Sequence, residues 1–200
     1  MTTSRSTPRL RFTAALLGAV VLLVGISSRP LLEGTAGEVA ALAGLALIVL
    51  AVLGRIWTST FIAGFKDEEL VREGPYSRLR HPLYALSWLG MLGLGLTSGS
   101  VSIGIGLALI TGIAFVRASK AEDAFLEQRF GTAFADYRRQ TPALLPRGPG
   151  LPTPERRALR PRVFAKSFVD GASFFGVYLL IRLADLLQQS GVLPALLVLP

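Results

Sequence analysis

Long apolar runs separated by short polar segments predict helices that cross a membrane. The runs occupy residues 12–26, 39–57, 83–96 and 101–116. A helix rises ~1.5 Å per residue, so about 20 residues cover a hydrocarbon core ~30 Å thick. The first run follows three arginines, as in a signal peptide, but no small-residue cleavage site follows it. We therefore predict a retained first helix.

The two shorter runs are joined by only four small polar residues, 97–100. This spacing predicts a tight antiparallel hairpin over residues 83–116. Glycines in the hairpin are expected to let helix backbones approach closely. They are Gly90, Gly93, Gly95, Gly104, Gly106 and Gly112. Gly90 and Gly93 are also candidates for keeping a substrate path narrow.

Residues 117–140 change character and predict one amphipathic helix that continues from the fourth run. Large apolar side chains recur there at helical spacing among charged ones. They are Leu126, Phe130, Phe134 and Tyr137. Phe130, Phe134 and Tyr137 are expected to dock the helix against the membrane-embedded core rather than bind a ligand. Pro142 is expected to end the helix.

The C-terminal part combines a Pro- and Gly-rich connector with a basic stretch, 156–166, suited to an anionic lipid surface. An apolar run at 174–187 follows. It contains Arg182 and Asp185, which lie three residues apart on one helix face and are expected to pair. The sequence leaves open whether this run spans the membrane or lies in its interface.

Composition supports the same class of protein. Apolar residues make up 51% of the 200 positions and charged residues only 17%. This composition is too apolar for an ordinary soluble domain. The fold class is therefore all-α: a polytopic integral membrane protein of four to five transmembrane helices. With no cysteine and one histidine, the chain cannot build a thiolate or multi-histidine metal site.

Positive charge indicates an orientation. Of the 21 Lys and Arg residues, 19 precede the first run or lie in segments 55–80 and 117–166, all on one side of a four-helix path. The positive-inside bias places the N-terminus and both segments in the cytoplasm. Membrane topology also explains the excess of positive charge, so nucleic acid is not expected as a partner.

Two polar strings, 69–84 and 121–126, flank the hairpin. Pro82 is suited to the first position of the third helix. Because the hairpin is antiparallel, His81 and Tyr84 at one mouth should lie near Glu122 at the other. An ionised carboxylate at the end of a transmembrane helix costs free energy unless a positively charged group lies beside it. Together with the aromatic face of Tyr76, this group suits a zwitterion that carries an ammonium or sulfonium charge.

These strings resemble the isoprenylcysteine carboxyl methyltransferase and phospholipid methyltransferase superfamily. The match covers roughly residues 55–146 and consists of Leu-Val-x-x-Gly-Pro-Tyr-Ser-x-x-Arg-His-Pro-Leu-Tyr at 70–84, the glycine-rich hairpin, Glu-Asp-x-x-Leu-x-x-x-Phe-Gly at 122–131 and a downstream Tyr137. The resemblance implies that S-adenosylmethionine binds in a cytoplasmic pocket and that a lipophilic acceptor enters from the bilayer.

Carried over by position, the resemblance names eight cofactor-binding candidates: Leu70, Val71, Tyr76, His81, Pro82, Leu83, Tyr84 and Glu122. His81 and Glu122 are expected to position the donor, and no catalytic nucleophile, obligatory base or metal is expected. Asp123 stands where the family has a second Glu and is expected to pair with a nearby cation. Ala118 stands where the prenylcysteine enzymes have an arginine, which weakens prenylcysteine as the acceptor.

The resemblance predicts a methyltransferase acting on a carboxylate or amine of a lipid-like molecule, in the cell membrane of a bacterium. Two alternatives remain open at this point. One is an NADPH-dependent membrane reductase of the sterol-reductase type, and the other is a non-catalytic scaffold that binds anionic lipid. The expected organisation is N-terminal transmembrane helices at 1–54, a methyltransferase-like core at 55–146, and a basic connector with a membrane-associated helix at 147–200. The oligomeric state is not indicated.

Overall fold

The computed structural model describes residues 18, 34–65, 68–146, 150, 153–155 and 158–193. The predicted first helix, 12–26, lies outside these residues apart from position 18. The described elements are all helices: α1 (Gly34–Ile62), α2 (Pro75–Arg78), α3 (Pro82–Thr97), α4 (Val101–Phe130), α5 (Thr132–Gln140) and α6 (Pro161–Gln189).

Three of these helices, α1, α6 and α4 from Ser102 onward, are long and apolar enough to cross a membrane, and α3 is a shorter apolar helix. The all-α, polytopic membrane class predicted from the sequence is confirmed. The last apolar run belongs to a helix of 29 residues, so its length suffices for a span.

The hairpin forms as predicted. Pro82 is the first residue of α3. A backbone N–H at this position has no partner within the helix, so proline costs no hydrogen bond there. Ser100 caps α4, and its hydroxyl accepts a hydrogen bond from the backbone N–H of Ile103 at 3.3 Å. The α3 helix packs against α1 on one side and α4 on the other, and α6 packs mainly against α1.

One apolar core joins helices α1, α3, α4 and α6. Its buried members are Ile48, Val52, Met91, Leu94, Ile103, Leu107, Phe174, Val177 and Ile181. At Gly90 a Cβ atom would lie 2.5 Å from the Phe174 ring, and at Gly93 it would lie 2.6 Å from the Gly44 carbonyl oxygen. Gly90 and Gly93 therefore face packed helices inside the bundle. The packing role expected of both is confirmed, whereas no described residue lies within 4 Å of a Cβ atom placed at Gly106, where a packing role was also expected.

Two predicted helix boundaries were wrong. The second run, expected over residues 39–57, belongs to a longer helix, because α1 begins at Gly34, continues to Ile62 and buries Arg55 inside the bundle. Residues 117–140 do not form one helix, because Gly131 adopts a φ of +54°, which favours glycine, and separates α4 from α5. The second half of the basic stretch at 156–166 is helical, because α6 begins at Pro161.

Arg160 ties the start of α6 to the end of α1. Its backbone N–H donates to the carbonyl of Ala63 at 3.2 Å, and its guanidinium donates twice to the carboxylate of Glu68. Helices α1 and α6 therefore run antiparallel. We call this end of the bundle, where α1 finishes and α3 and α6 start, the His81 end.

Candidate functional site at the mouth of the hairpin

His81 lies at the centre of a charged cluster where α3 and α4 meet. Its Nε2 is 2.7 Å from Asp123 Oδ1, and its Nδ1 is 3.6 Å from Glu122 Oε2. Arg80 Nη2 donates to the other oxygen of Asp123 at 2.8 Å. His81 is 4% exposed, so two carboxylates, a guanidinium and an imidazole share a space that is largely shielded from water.

This cluster determines the protonation of the histidine. Burial alone would lower the pKa of His81, but hydrogen bonds and charge interactions with Asp123 and Glu122 outweigh it and raise the pKa above its usual value. The imidazole therefore holds its proton more firmly than a free histidine does. Its two ring nitrogens face the two carboxylates, so the imidazole is placed to orient both of them.

An aromatic wall borders the cluster on the membrane side. The Tyr84 ring lies 5.7 Å from the His81 ring and 5.5 Å from the Phe115 ring, measured between centroids. Tyr84 and Phe115 are buried, at 8% and 7% exposure. The mouth of the hairpin therefore combines charged groups with aromatic faces, which suits a ligand that carries a positive charge.

The segment after α5 fixes the backbone of Arg80 and His81. Their N–H groups donate to the carbonyls of Pro142 and Ala143, at 2.9 and 3.1 Å. The Arg80 guanidinium also donates to the carbonyl of Thr141 at 2.6 Å. The chain after α5 thus forms one rim of the site, a contact that the sequence did not indicate.

Tyr137 anchors α5 to the loop before the hairpin. Its hydroxyl donates to the backbone carbonyl of Tyr76 at 2.6 Å, and burial raises the pKa of Tyr137 far above its usual value. Phe134 beside it is fully buried. This agrees with the structural role expected for both aromatic residues.

The eight predicted site residues fall into two groups. His81, Pro82, Tyr84 and Glu122 come together at the mouth of the hairpin, as the antiparallel geometry required. Val71 and Tyr76 instead pack with Phe61 in a small apolar cluster near the end of α1, and Leu70 is half-buried beside them in the chain. The Leu83 side chain is half-buried, while its carbonyl accepts a hydrogen bond from Arg55 at 3.3 Å.

Sequence reasoning left two residues of the cluster out of the site. Asp123 is the closest carboxylate to His81, although only its pairing with a cation was expected, and that cation is Arg80. Arg80 directly precedes His81 in the sequence segment that resembles the family. This adjacency could have indicated that Arg80 belongs to the site.

A second polar cluster was also missed. Arg55 of α1 pairs with Asp170 of α6 and with the hydroxyl of Ser87 of α3, and its guanidinium stacks over the Phe174 ring. Asp170 lies 115 positions after Arg55, so no local sequence pattern could link the two residues. The expected pair of Arg182 and Asp185 is confirmed at 3.2 Å.

Comparison with known proteins identifies the family. A family model described as phospholipid methyltransferase matches residues 35–133. The chain is 35% identical over 156 residues to the cobalt-zinc-cadmium resistance protein CzcN of Cupriavidus metallidurans, covering 78% of this chain and 72% of that protein. The chain belongs to the isoprenylcysteine and phospholipid methyltransferase superfamily. It is a membrane protein of a methyltransferase family.

Two further relatives support this placement. The nickel-cobalt-cadmium resistance protein NccN of Alcaligenes xylosoxydans xylosoxydans is 32% identical over 157 residues, which cover 78% of this chain and 73% of that protein. A protein-S-isoprenylcysteine O-methyltransferase of Schizosaccharomyces pombe is 30% identical over 81 residues, or 40% of this chain and 34% of that enzyme. No solved structure matches the chain.

Proposed function

We propose that this protein transfers a methyl group from S-adenosylmethionine to a lipophilic acceptor, at a site that opens to the cytoplasm. The observation that carries the proposal is the cluster of His81, Glu122 and Asp123 at the mouth of the α3–α4 hairpin. It lies inside the segment that matches the methyltransferase family.

The residues of the cluster fit a sulfonium amino acid. S-adenosylmethionine supplies a methyl group already bonded to a good leaving group, so the chemistry demands little from the protein beyond alignment. Glu122, at 17% side-chain exposure, would hold the ammonium group of the donor. The Tyr84 face would lie against its positive charge.

Asp123 and Arg80 would act as positioning residues. Asp123 accepts hydrogen bonds from both Arg80 and His81, which leaves Glu122 as the carboxylate less tightly held by His81. His81 would orient Glu122. A carboxylate, or an amine in its neutral form, attacks the methyl group without help from a base, whereas an alcohol must give up a proton as it attacks, so the first two acceptors suit the site better.

Isothermal titration of the detergent-solubilised protein tests the proposal against its alternatives. We expect binding of S-adenosylmethionine and S-adenosylhomocysteine and none of NADPH. Binding of NADPH alone would indicate a membrane reductase, and binding of none of the three would indicate a scaffold. Transfer of a labelled methyl group into the organic phase of a bacterial lipid extract would complete the assignment.

The names of two relatives suggest a physiological setting. Both are called metal resistance proteins, yet among the residues that the structure describes, no group of three His, Cys, Asp or Glu is placed to hold a metal ion. We therefore propose that any contribution to metal tolerance comes from methylation of the acceptor. A deletion strain should become sensitive to cobalt, zinc or cadmium, and a His81→Ala gene should fail to restore tolerance.

A further inference from the structure

The buried guanidinium of Arg55 lies against the first turn of α3, next to the candidate site. It donates to the backbone carbonyl of Leu83 at 3.3 Å and to the hydroxyl of Ser87. The Ser87 hydroxyl donates in turn to the same Leu83 carbonyl at 2.6 Å. Leu83 follows His81 by two positions and directly precedes Tyr84, so Arg55 holds the turn that presents both of these side chains to the site.

This turn depends on contacts from outside its own helix. His81 occupies the N-cap position of α3, where a polar side chain ordinarily caps the helix. Its ring nitrogens instead face Asp123 and Glu122, and its side chain does not cap α3. The backbone N–H of His81 donates to the carbonyl of Ala143, after α5. Arg55 adds a contact from α1, so the start of α3 is fixed between two other parts of the chain.

Arg55 also lies beside the second group of predicted site residues. The phenol of Tyr76 is close enough to the guanidinium to interact with it electrostatically. Tyr76 belongs to the small apolar cluster near the end of α1, whereas Leu83 lies in the first turn of α3. Arg55 therefore stands between the two groups, and a displacement of its guanidinium would affect both.

Asp170 of α6 holds the guanidinium in this place. Its carboxylate accepts a hydrogen bond from Nη2 of Arg55, and the centroid of the Phe174 ring lies 5.6 Å from the guanidinium carbon. A guanidinium that lost this carboxylate would turn toward water or another anion, because a buried charge without a partner is costly. Either movement would release the carbonyl of Leu83.

We propose that Arg55 and Asp170 are positioning residues of the candidate site and act through the start of α3. Asp170 fixes the guanidinium, and the guanidinium fixes the turn that sets where His81 and Tyr84 stand against the carboxylates of α4. The inference rests on the proposed function, because it gives α6 a part in donor binding. Helix α6 lies outside residues 35–133, which match the family, so the site depends on a helix beyond the family segment.

A double substitution separates this role from a purely structural one. Arg55→Met with Asp170→Leu leaves no lone charge in the bundle, so the fold should stay intact, but methionine cannot donate to the Leu83 carbonyl. Isothermal titration should show S-adenosylmethionine binding about tenfold weaker than in wild type. The control, Arg182→Met with Asp185→Leu, removes another ion pair of α6 and should bind the donor as wild type does.

The single histidine provides a second measurement, which needs no donor. If the start of α3 shifts, His81 moves relative to Asp123 and Glu122, which stabilise its charged form. Its NMR titration midpoint should therefore fall in the double variant of Arg55 and Asp170. Because the two opposite charges leave together, the net charge near His81 does not change. The control double variant should keep the wild-type midpoint.

A smaller substitution tests the same link without touching the ion pair. Ser87→Ala removes only the hydroxyl between Arg55 and the Leu83 carbonyl, and donor affinity should fall about threefold, the effect of one hydrogen bond. Thr97→Val is the matched control, since it removes a buried hydroxyl that donates to the carbonyl of Leu94 at the other end of α3. This variant should bind the donor as wild type does.

Three results would overturn the proposal and leave the proposed function standing: wild-type donor affinity in the folded double variant, an unchanged His81 midpoint in that variant, or equal donor affinities in Ser87→Ala and Thr97→Val. If wild type itself binds no S-adenosylmethionine, the proposed function fails. The His81 midpoint then decides alone whether Arg55 and Asp170 position the histidine.

Discussion

The guanidinium of Arg55 pairs with the carboxylate of Asp170 inside the helix bundle and joins α1 to α6. Arg55 is 8% exposed, so little water is available to replace its partner. Removing one member of a buried ion pair leaves a charge without compensation, which typically costs about 3–5 kcal/mol.

We expect Asp170→Ala, which leaves the buried Arg55 charge unpaired, to lower the free energy of unfolding by about that amount, and Arg55→Met with Asp170→Leu to lose much less because no lone charge remains. Thermal unfolding in detergent measures both. The exposed pair of Arg182 and Asp185 provides the control, since Arg182→Ala should cost less than about 1 kcal/mol. Equal losses in Asp170→Ala and Arg182→Ala would contradict the importance of the buried pair.

The single histidine allows its protonation to be measured without ambiguity. The raised pKa of His81 means that its contribution to stability is complete below the unfolded value of 6.5 and is lost as pH rises through the folded pKa. Histidine-resolved NMR titration of a protein without a His tag should give a midpoint above 6.5. Asp123→Asn should lower this midpoint more than Glu122→Gln, because Asp123 is the closer carboxylate. A midpoint below 6.5 in wild type would show that burial outweighs the two carboxylates.

Donor binding should respond to the same two carboxylates in a different way. We expect Glu122→Gln to weaken S-adenosylmethionine binding by about ten- to a hundredfold, which corresponds to about 1.5–3 kcal/mol for a charge-assisted hydrogen bond. Calorimetry on folded variants measures this change. Asp123→Asn is the matched comparison, and the hypothesis fails if donor affinity is the same in wild type and Glu122→Gln.

The contact between Gly90 and Phe174 makes a prediction about packing. In Gly90→Ala the new methyl group would meet the Phe174 ring at 2.5 Å, and overpacking of this kind costs about 1–3 kcal/mol. Adding Phe174→Leu should recover part of the loss. Gly106→Ala, with open space around it, should change the unfolding temperature little. A Gly90→Ala protein as stable as wild type would show that α6 moves aside freely.

Orientation in the membrane remains a prediction that labelling can check. The chain has no cysteine, so single cysteines can be introduced without background. Arg139 at the His81 end is 78% exposed, and Ser98 lies in the hairpin turn. In intact cells an impermeant maleimide should label Ser98→Cys and spare Arg139→Cys; the opposite pattern would place the candidate site outside the cytoplasm.

Local signals in the sequence predicted much of the fold and part of the site. Apolar run lengths, Pro82 and the short polar turn specify the hairpin, and an antiparallel hairpin necessarily brings His81 near Glu122. The helix break at Gly131 was harder to predict, because glycine is tolerated within a helix and only the positive φ of Gly131 creates the break. Local pattern alone therefore underestimates how many helices the segment contains.

Contacts between distant parts of the chain could not be predicted in this way. Nothing near Arg55 indicates that Asp170 neutralises it, and an arginine at the end of an apolar run ordinarily suggests a loop. Asp123 and Glu122 are neighbours in sequence, so their spacing did not reveal which one contacts Nε2 of His81. The division of the chain at residue 54 also stays a prediction, although α1 continues through it.

The placement of α6 limits how freely parts of this protein can be exchanged with its relatives. Asp170 and Phe174 lie one turn apart on a helix outside the residues matched by the family, yet one neutralises Arg55 and the other fills the space above Gly90. A chimaera whose last helix lacks an acidic residue at position 170 and a large apolar one at position 174 would have an unmatched charge and a hole in the same place. Arg55, Gly90 and the last helix therefore have to be exchanged together in any such chimaera.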